Sequence, residues 1–328
     1  MKILVTGADG FIGSHLAEIL VKNGYDLHCT IFDKGSANYL DPKLRVKRFT
    51  GDIRDLSFVK KAMKGCDKVF NLVGALNVPT STYDDFFSTN VEGARNIMEA
   101  SLQLKIKKVV HTSSVVTIKE NEKKVDENHL HKTFFMDPYT ITKFYGEKIA
   151  FEYGAKGLDV TVVNPTIVFG PRDTHTLGNF FKLHLESRIR FVSFLDSRLN
   201  IIYVKDAAMG HMLAMEKGKP GNKYILGGDE ISLGKFISTL DKVAGVKNPI
   251  IKIPKFAVDC ASAIFPPLFS IFGKPFPVLR AQAKAMRRGS SVDISKAKKE
   301  LGFPITPIDE GIKNALEWYI ETGYINLR

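Results

Sequence analysis

The sequence predicts an α/β chain in which a doubly wound parallel sheet of about seven strands is joined to a smaller C-terminal domain. Three observations carry this. An apolar N-terminal strand runs at once into a glycine-punctuated turn and a helical pattern. Apolar segments then alternate with helical patterns at intervals of about 20 to 30 residues, as crossover helices between parallel strands require. Past residue 165 the alternation becomes irregular, with Pro171, Pro254, Pro266, Pro267, Pro275 and Pro277 interrupting it.

Ile3, Leu4 and Val5 make the first strand. Gly7, Gly10 and Gly13 follow, and Phe11, Ile12, Leu16, Ile19 and Leu20 recur at helical spacing until Asn23-Gly24 supplies a stop. Gly7 permits the tight turn, Gly10 lets the backbone approach a pyrophosphate, and Gly13 lets the helix pack closely on the strand. The helix N-terminus, with Phe11 and Ile12 in its first turn, then faces the phosphates. This is the opening unit of a Rossmann-type dinucleotide-binding sheet. Further strands are expected at Leu27 to Phe32, Val46 to Thr50, Val69 to Leu72, Lys108 to Thr112, Val160 to Asn164 and Asn200 to Val204. Helices are expected at Ile12 to Asn23, Leu56 to Met63, Asp84 to Leu104 and Pro138 to Tyr153. Residues 1–165 thus form a dinucleotide-binding domain to which 199–226 return, and residues 166–198 and 227–328 form a substrate-binding domain.

Composition narrows the class. A chain of 328 residues, 44% hydrophobic, can bury one large core or two unequal ones. The N-terminus reads as a strand and not as a leader, which predicts a cytoplasmic protein. Cys29, Cys66 and Cys260 lack metal or redox spacing, and the eight histidines show no HxH or HExxH pattern, so no metal is expected. The net charge of +12 is spread along the chain without interleaved aromatics, which argues against nucleic acid and for a solvated surface that attracts phosphorylated small molecules.

A second constellation lies at Thr112 to Val116 (TSSVV), at a strand end, followed by Tyr139-Thr-Ile-Thr-Lys143 on a helix. Four-residue spacing sets Tyr139 and Lys143 on one helical face, a turn apart. A tyrosine is a poor base at neutral pH, but a nearby ammonium and a cationic nicotinamide both favour its phenolate. Tyr139 can then move a proton on a substrate hydroxyl or carbonyl, Ser114 can hydrogen-bond the same oxygen, and Lys143 can hold the nicotinamide ribose. Asp33, 20 residues after Gly13, stands where an acid accepts hydrogen bonds from the ribose of NAD.

Taken together, TGADGFIG, GDIRD, NLVGA, TNVEGARNIMEA, HTSS, YTITK, VVNPTIVFGPRD, YVKDAAMGH and KKELGF occur in an order that resembles the extended short-chain dehydrogenase/reductase (NAD-dependent epimerase/dehydratase) family along nearly the whole chain. The stretches around NPTIVFGPRD and RLNIIYVKDAAMGH look closest to its dihydroflavonol-reductase-like branch, which includes hopanoid-associated sugar epimerases. The resemblance implies that Asp52 and Ile53 flank the adenine, that Val73 and Gly74 lie at the phosphates, and that Asn90 helps position the cofactor. It places Pro165 and Ile167 near the nicotinamide, and completes the cofactor set with Lys34, Leu72 and Thr112. Dihydroflavonol reductases have arginine where Phe32 stands here, which favours NAD, while Lys34, Ser36 and Arg54 leave NADP open.

Departures from the family patterns bear on the chemistry. Val115 and Val116 stand where sugar-nucleotide dehydratases carry acidic residues, which disfavours dehydration. Leu199 stands where UDP-galactose-type epimerases carry an arginine, with Arg198 adjacent. Asn164 and Asn179 occupy positions where such epimerases contact the nucleotide diphosphate, and with Leu76 they are the candidate substrate residues. The leading expectation is an NAD(P)-dependent oxidoreductase interconverting a secondary alcohol and a ketone, of dihydroflavonol-reductase or 3β-hydroxysteroid-dehydrogenase type. The alternative is an NAD-dependent nucleotide-sugar epimerase, and a remote one is a nucleotide-sensing or nucleic-acid-binding non-enzyme. A homodimer through the helices carrying Asn90 and Tyr139 is implied by the resemblance. The apolar segment Phe256 to Gly273 is too broken for a membrane span and reads as a substrate-domain wall or a peripheral membrane contact.

Overall fold

The computed structural model describes residues 1–32, 39–75, 82–118, 124–129, 137–189, 191–258, 260, 289 and 291–326. Asp33, Lys34, Ser36, Leu76 and most of Phe256 to Gly273 lie outside the described residues.

The main sheet is built from β1 (Lys2–Thr6), β2 (Asp26–Ile31), β3 (Lys47–Thr50), β4 (Lys68–Asn71), β5 (Lys108–Thr112), β6 (Val160–Pro165) and β10 (Lys223–Leu226). Its order is β10-β6-β5-β4-β1-β2-β3, with every pair parallel. The seven-stranded, doubly wound α/β architecture read from the sequence is therefore the one observed. The order reverses between β1 and β4, so the crevice beyond their C-terminal ends is the topological switch point, where ligands bind in such sheets.

Both faces of this sheet are covered, which is why its strands read as continuous apolar runs. Ile3, Val5, Leu27, Cys29, Phe70 and Val110 face α1 (Phe11–Lys22) and α7 (Val204–Lys217), which pack on each other. Leu4, Val69, Val109, Val160 and Val162 face α2 (Leu56–Met63), α4 (Ala94–Gln103) and α5 (Pro138–Ala155). Asp55 caps α2 through Ser57 N, and Asp137 caps α5 through Thr140 N, with Pro138 at the first helical position. The cap on α5 fixes where the helix begins, and Tyr139 is therefore held in its first turn.

Two findings differ from the sequence expectation. The helix expected over Asp84 to Leu104 is α3 (Tyr83–Phe87) and α4 joined by a π-helical turn at Ser88–Gly93. Asn90 sits on that turn, whose widened backbone re-aims the residue. Asn200 to Val204, counted among the seven main strands, belongs instead to β9 (Arg198–Tyr203), which pairs parallel to β7 (Ile167–Phe169) and antiparallel to β11 (Asp229–Ser232). The seventh place falls to β10, next to β6. Both segments are short and apolar, and periodicity alone says nothing of which sheet a strand joins.

Around β9 a separate core assembles from Phe169, Phe181, Ile201, Phe236, Leu240, Leu316 and Tyr319. It is supplied by α6 (Leu177–Leu185), α8 (Leu233–Ala244) and α10 (Ile308–Glu321), with the short ribbon β8 (Phe191–Val192) and β12 (Ile251–Lys252) at its margin. Asp206, at the start of α7, accepts from Thr306 N at 2.6 Å and Thr306 Oγ1 at 2.9 Å. These bonds tie the segment between α9 (Ser295–Glu300) and α10 back to the main sheet.

Candidate active site

Gly7 takes a left-handed φ of 65°, and Gly10 N closes the turn onto Gly7 O at 3.1 Å. A Cβ on Gly13 would collide with the Gly7 carbonyl, so only glycine lets α1 approach β1 this closely. Phe11 and Ile12 turn their side chains onto the C-terminal core. Gly10 provides no side-chain cap to α1, and no acid lies in its first turn. The helix end is thus a set of backbone donors with a positive dipole, a fit for a pyrophosphate. Asp9 accepts from Phe32 N at 2.9 Å, bracing the end of β2 against the glycine turn.

Beyond β4, Leu72 N donates to Thr6 Oγ1 at 3.2 Å and Ala75 N donates to Asn90 Oδ1 at 2.9 Å. Asn90 Nδ2 in turn donates to Thr142 Oγ1 on α5 at 3.0 Å. The exposed Gly74 lies between these fixed points, and a Cβ there would stand 3.4 Å from Asn90 Oδ1 and 3.6 Å from Lys143 Nζ. Val73 and Gly74 therefore line an open cleft beside Lys143, whereas Ile53 is buried against Gly93. Asp52 is held by Arg54, whose Nε donates to Oδ2 at 2.8 Å.

The end of β5 meets the start of α5 at the candidate catalytic residues. Thr112 faces away from the cleft: its hydroxyl meets His211 Nε2 at 3.0 Å, and its carbonyl accepts from Lys143 Nζ at 2.7 Å. Lys143 is buried, and desolvation lowers its ammonium pKa to about 8 against the charge of Glu147, which raises it. Tyr139 is half-buried, with Phe86 edge-on to its ring. Burial pushes its phenol above the ordinary range, a hydrogen bond with Ser114 pulls it back, and Asp137 adds to the rise. Ser114, not Lys143, is the group that opposes the rise here.

Pro165 is buried and Ile167 half-buried where β6 passes into β7. Asn164 is fully buried, and its Nδ2 donates to Glu147 Oε2 at 2.8 Å. That places it behind the Ser114 loop and not on the cleft surface. Asn179 is exposed on α6. Sequence reasoning missed Glu147, four residues beyond Lys143 on the same helical face, and the Thr6-Asn71-His111 chain that ties β1, β4 and β5 together. The i, i+4, i+8 spacing of Tyr139, Lys143 and Glu147 was the available signal. Among the described residues no group of three or more His, Cys, Asp or Glu is placed to hold a metal, and no helix is long and apolar enough to cross a membrane.

The model of the NAD dependent epimerase/dehydratase family matches residues 3–227. The chain belongs to that family. Like the family it is an enzyme that works with NAD, and the glycine turn, the Gly74 cleft and Lys143 fit that dinucleotide. This NAD-dependent epimerase/dehydratase family member is 27% identical to sterol demethylase protein B of Methylococcus capsulatus, over 99% of this chain and 100% of that one. It is 28% identical to 2-alkyl-3-oxoalkanoate reductase of Shewanella oneidensis, over 94% of this chain and 84% of that one. UDP-glucose 4-epimerase of Thermotoga maritima, solved with UDP-glucose, shares the fold with a TM-score of 0.81 at 24% identity, over 98% of this chain and 99% of that one.

Proposed function

We propose that the protein is an NAD(H)-dependent oxidoreductase that interconverts a secondary alcohol and a ketone. The observation that carries this reading is Lys143, buried beside Gly74 with its Nζ donating to the Thr112 carbonyl at 2.7 Å, one helical turn from Tyr139 and next to the strand end that leads into Ser114. NAD(H), when bound, accepts or supplies the hydride. Tyr139 Oη donates a proton to the carbonyl oxygen in the reductive direction and removes it from the hydroxyl in the oxidative one. Ser114 Oγ donates to the same oxygen and holds it against Tyr139. Lys143 would hold the ribose hydroxyls of bound NAD(H), while Asn90 fixes the chain around Gly74 through Ala75 N.

Arg54 is engaged by Asp52, which supports NAD over NADP. The reductase relative is 28% identical and the epimerase structure 24%, which supports net redox chemistry over epimerisation. The reading extends to a homodimer through α4 and α5, supported by Tyr145, which is 45% exposed on α5. It extends also to a cytoplasmic protein, supported by free thiols at Cys29, Cys66 and Cys260. Exposed Phe191, Ile251 and Phe256 beside Lys252 and Lys255 support peripheral contact with an anionic lipid surface.

Turnover of a ketone and secondary-alcohol panel with NAD(H) tests the core of this reading. Tyr139→Phe is expected to lower turnover by about 100-fold or more and to leave NADH binding intact; undiminished turnover overturns the assignment. Purified protein that retains stoichiometric NAD(H) and shows no net redox change would replace it with the epimerase reading.

A further inference from the structure

The Ser114 loop is gripped from behind by one buried acid. Glu147 Oε2 accepts from Ser113 Oγ at 2.6 Å, from Thr117 Oγ1 at 2.8 Å and from Asn164 Nδ2 at 2.8 Å. Its Oε1 accepts from Lys223 Nζ on β10 at 3.2 Å. Every partner donates. Four groups on four separate segments thus converge on one carboxyl. Asn164 Nδ2 also donates to the Ser114 carbonyl at 3.1 Å, and the Thr117 hydroxyl lies 2.9 Å from that carbonyl, its single hydrogen shared between it and the carboxylate. The groups bound to the carboxylate are therefore the ones that set the backbone of Ser114.

Resting on the reading above, we propose that Glu147 is a positioning residue for the Ser114–Tyr139 pair, acting through Ser113, Thr117 and Asn164 and held on its other oxygen by Lys223. Glu147 touches neither Ser114 Oγ nor Tyr139. Eight residues of helix separate it from Tyr139, a rise of about 12 Å, so its direct charge effect on the phenol is weak next to that of the hydrogen bond it aims. It also favours the charged form of Lys143, the next residue along the same face. The groups facing this line are Asp137 and Tyr139 at one end, His111 beside Lys143, and Lys223 at the other end.

Loss of the carboxylate loosens Ser114, the group that holds the Tyr139 pKa down, and so lets that pKa rise. The test is ultraviolet difference titration of the Tyr139 phenol in NAD-saturated protein, taking each variant minus the same variant with Tyr139→Phe. NAD binding is measured separately by calorimetry, so failure of the cofactor assignment is seen independently of the titration, which needs no substrate. Glu147→Gln is expected to raise the Tyr139 pKa by about half a unit or more, and Glu147→Asp, which keeps the charge, to recover part of the shift. Thr117→Val, which removes one strut and preserves shape, is expected to move the pKa the same way by less, and it decides the matter if Glu147→Gln does not fold. A lowered melting temperature with an unmoved Tyr139 titration in the folded variants would show that Glu147 only holds the fold, and overturns the proposal.

Discussion

Gly146 on α5 passes Asn90 so closely that a Cβ at position 146 would stand 2.5 Å from the Asn90 carbonyl oxygen. This contact seats the π turn against the helix that carries Tyr139 and Lys143, and it brings Asn90 Nδ2 within reach of Thr142. Gly146→Ala should therefore force the two elements apart, at a cost of about 1–3 kcal/mol in urea unfolding. The same displacement moves Asn90 off Ala75, so NADH affinity measured by calorimetry should fall several-fold. A variant with wild-type stability and affinity would show that the turn gives way freely.

Lys143 carries a cost that function explains. Its pKa drops from 10.5 to about 8 on folding, so between those values the unfolded chain binds more protons and stability rises with pH. Below about pH 8 both states hold the proton, and the buried ammonium is a standing destabilisation. Lys143→Met should accordingly be more stable than wild type at pH 7, by about 1–3 kcal/mol, with the gap closing above pH 10 and turnover lost. Equal or lower stability at pH 7 would mean that the Thr112 carbonyl and Glu147 already compensate the charge.

Cofactor choice should respond to a residue that does not touch the 2′ position in the expected complex. Arg54 N donates to Asp52 Oδ1 at 2.9 Å and its guanidinium to Oδ2, which holds the exposed cation on Asp52. Asp52→Asn removes the carboxylate and releases the guanidinium, so the ratio of NADPH to NADH affinity should rise about threefold to tenfold. An unchanged ratio from paired titrations would remove Arg54 from the discrimination.

Asp206→Ala leaves Thr306 N and Oγ1 without their acceptor beneath the C-terminal segment. Loss of about 1–3 kcal/mol is expected, together with faster tryptic cleavage around Lys313 on α10. Cleavage at the wild-type rate would show that the apolar contacts of Ile312, Leu316 and Tyr319 hold α10 alone.

Much of the site was legible because its signals are local. The strand-glycine-helix opening, the start of α5 at Pro138 and the four-residue spacing of Tyr139 and Lys143 each follow from backbone geometry within one or two turns. Asn164 was not legible in the same way. Its side chain was read as a substrate contact, yet the structure turns it toward Glu147, because β6 lies between β5 and β10 and buries both faces. Asp33, Lys34 and Leu76 fall outside the described residues, so their expected roles rest on the sequence.

By itself the sequence determined the first six strands of the central sheet, the glycine turn and the spacing of the candidate catalytic side chains, since periodicity and turn chemistry act between near neighbours. Only the tertiary structure decided that β9 leaves the main sheet, that β10 takes its place, and that Lys223 thereby reaches Glu147 across 76 residues of chain. Strand partners and buried polar contacts are chosen by burial and hydrogen-bond satisfaction between distant segments, which no local pattern encodes.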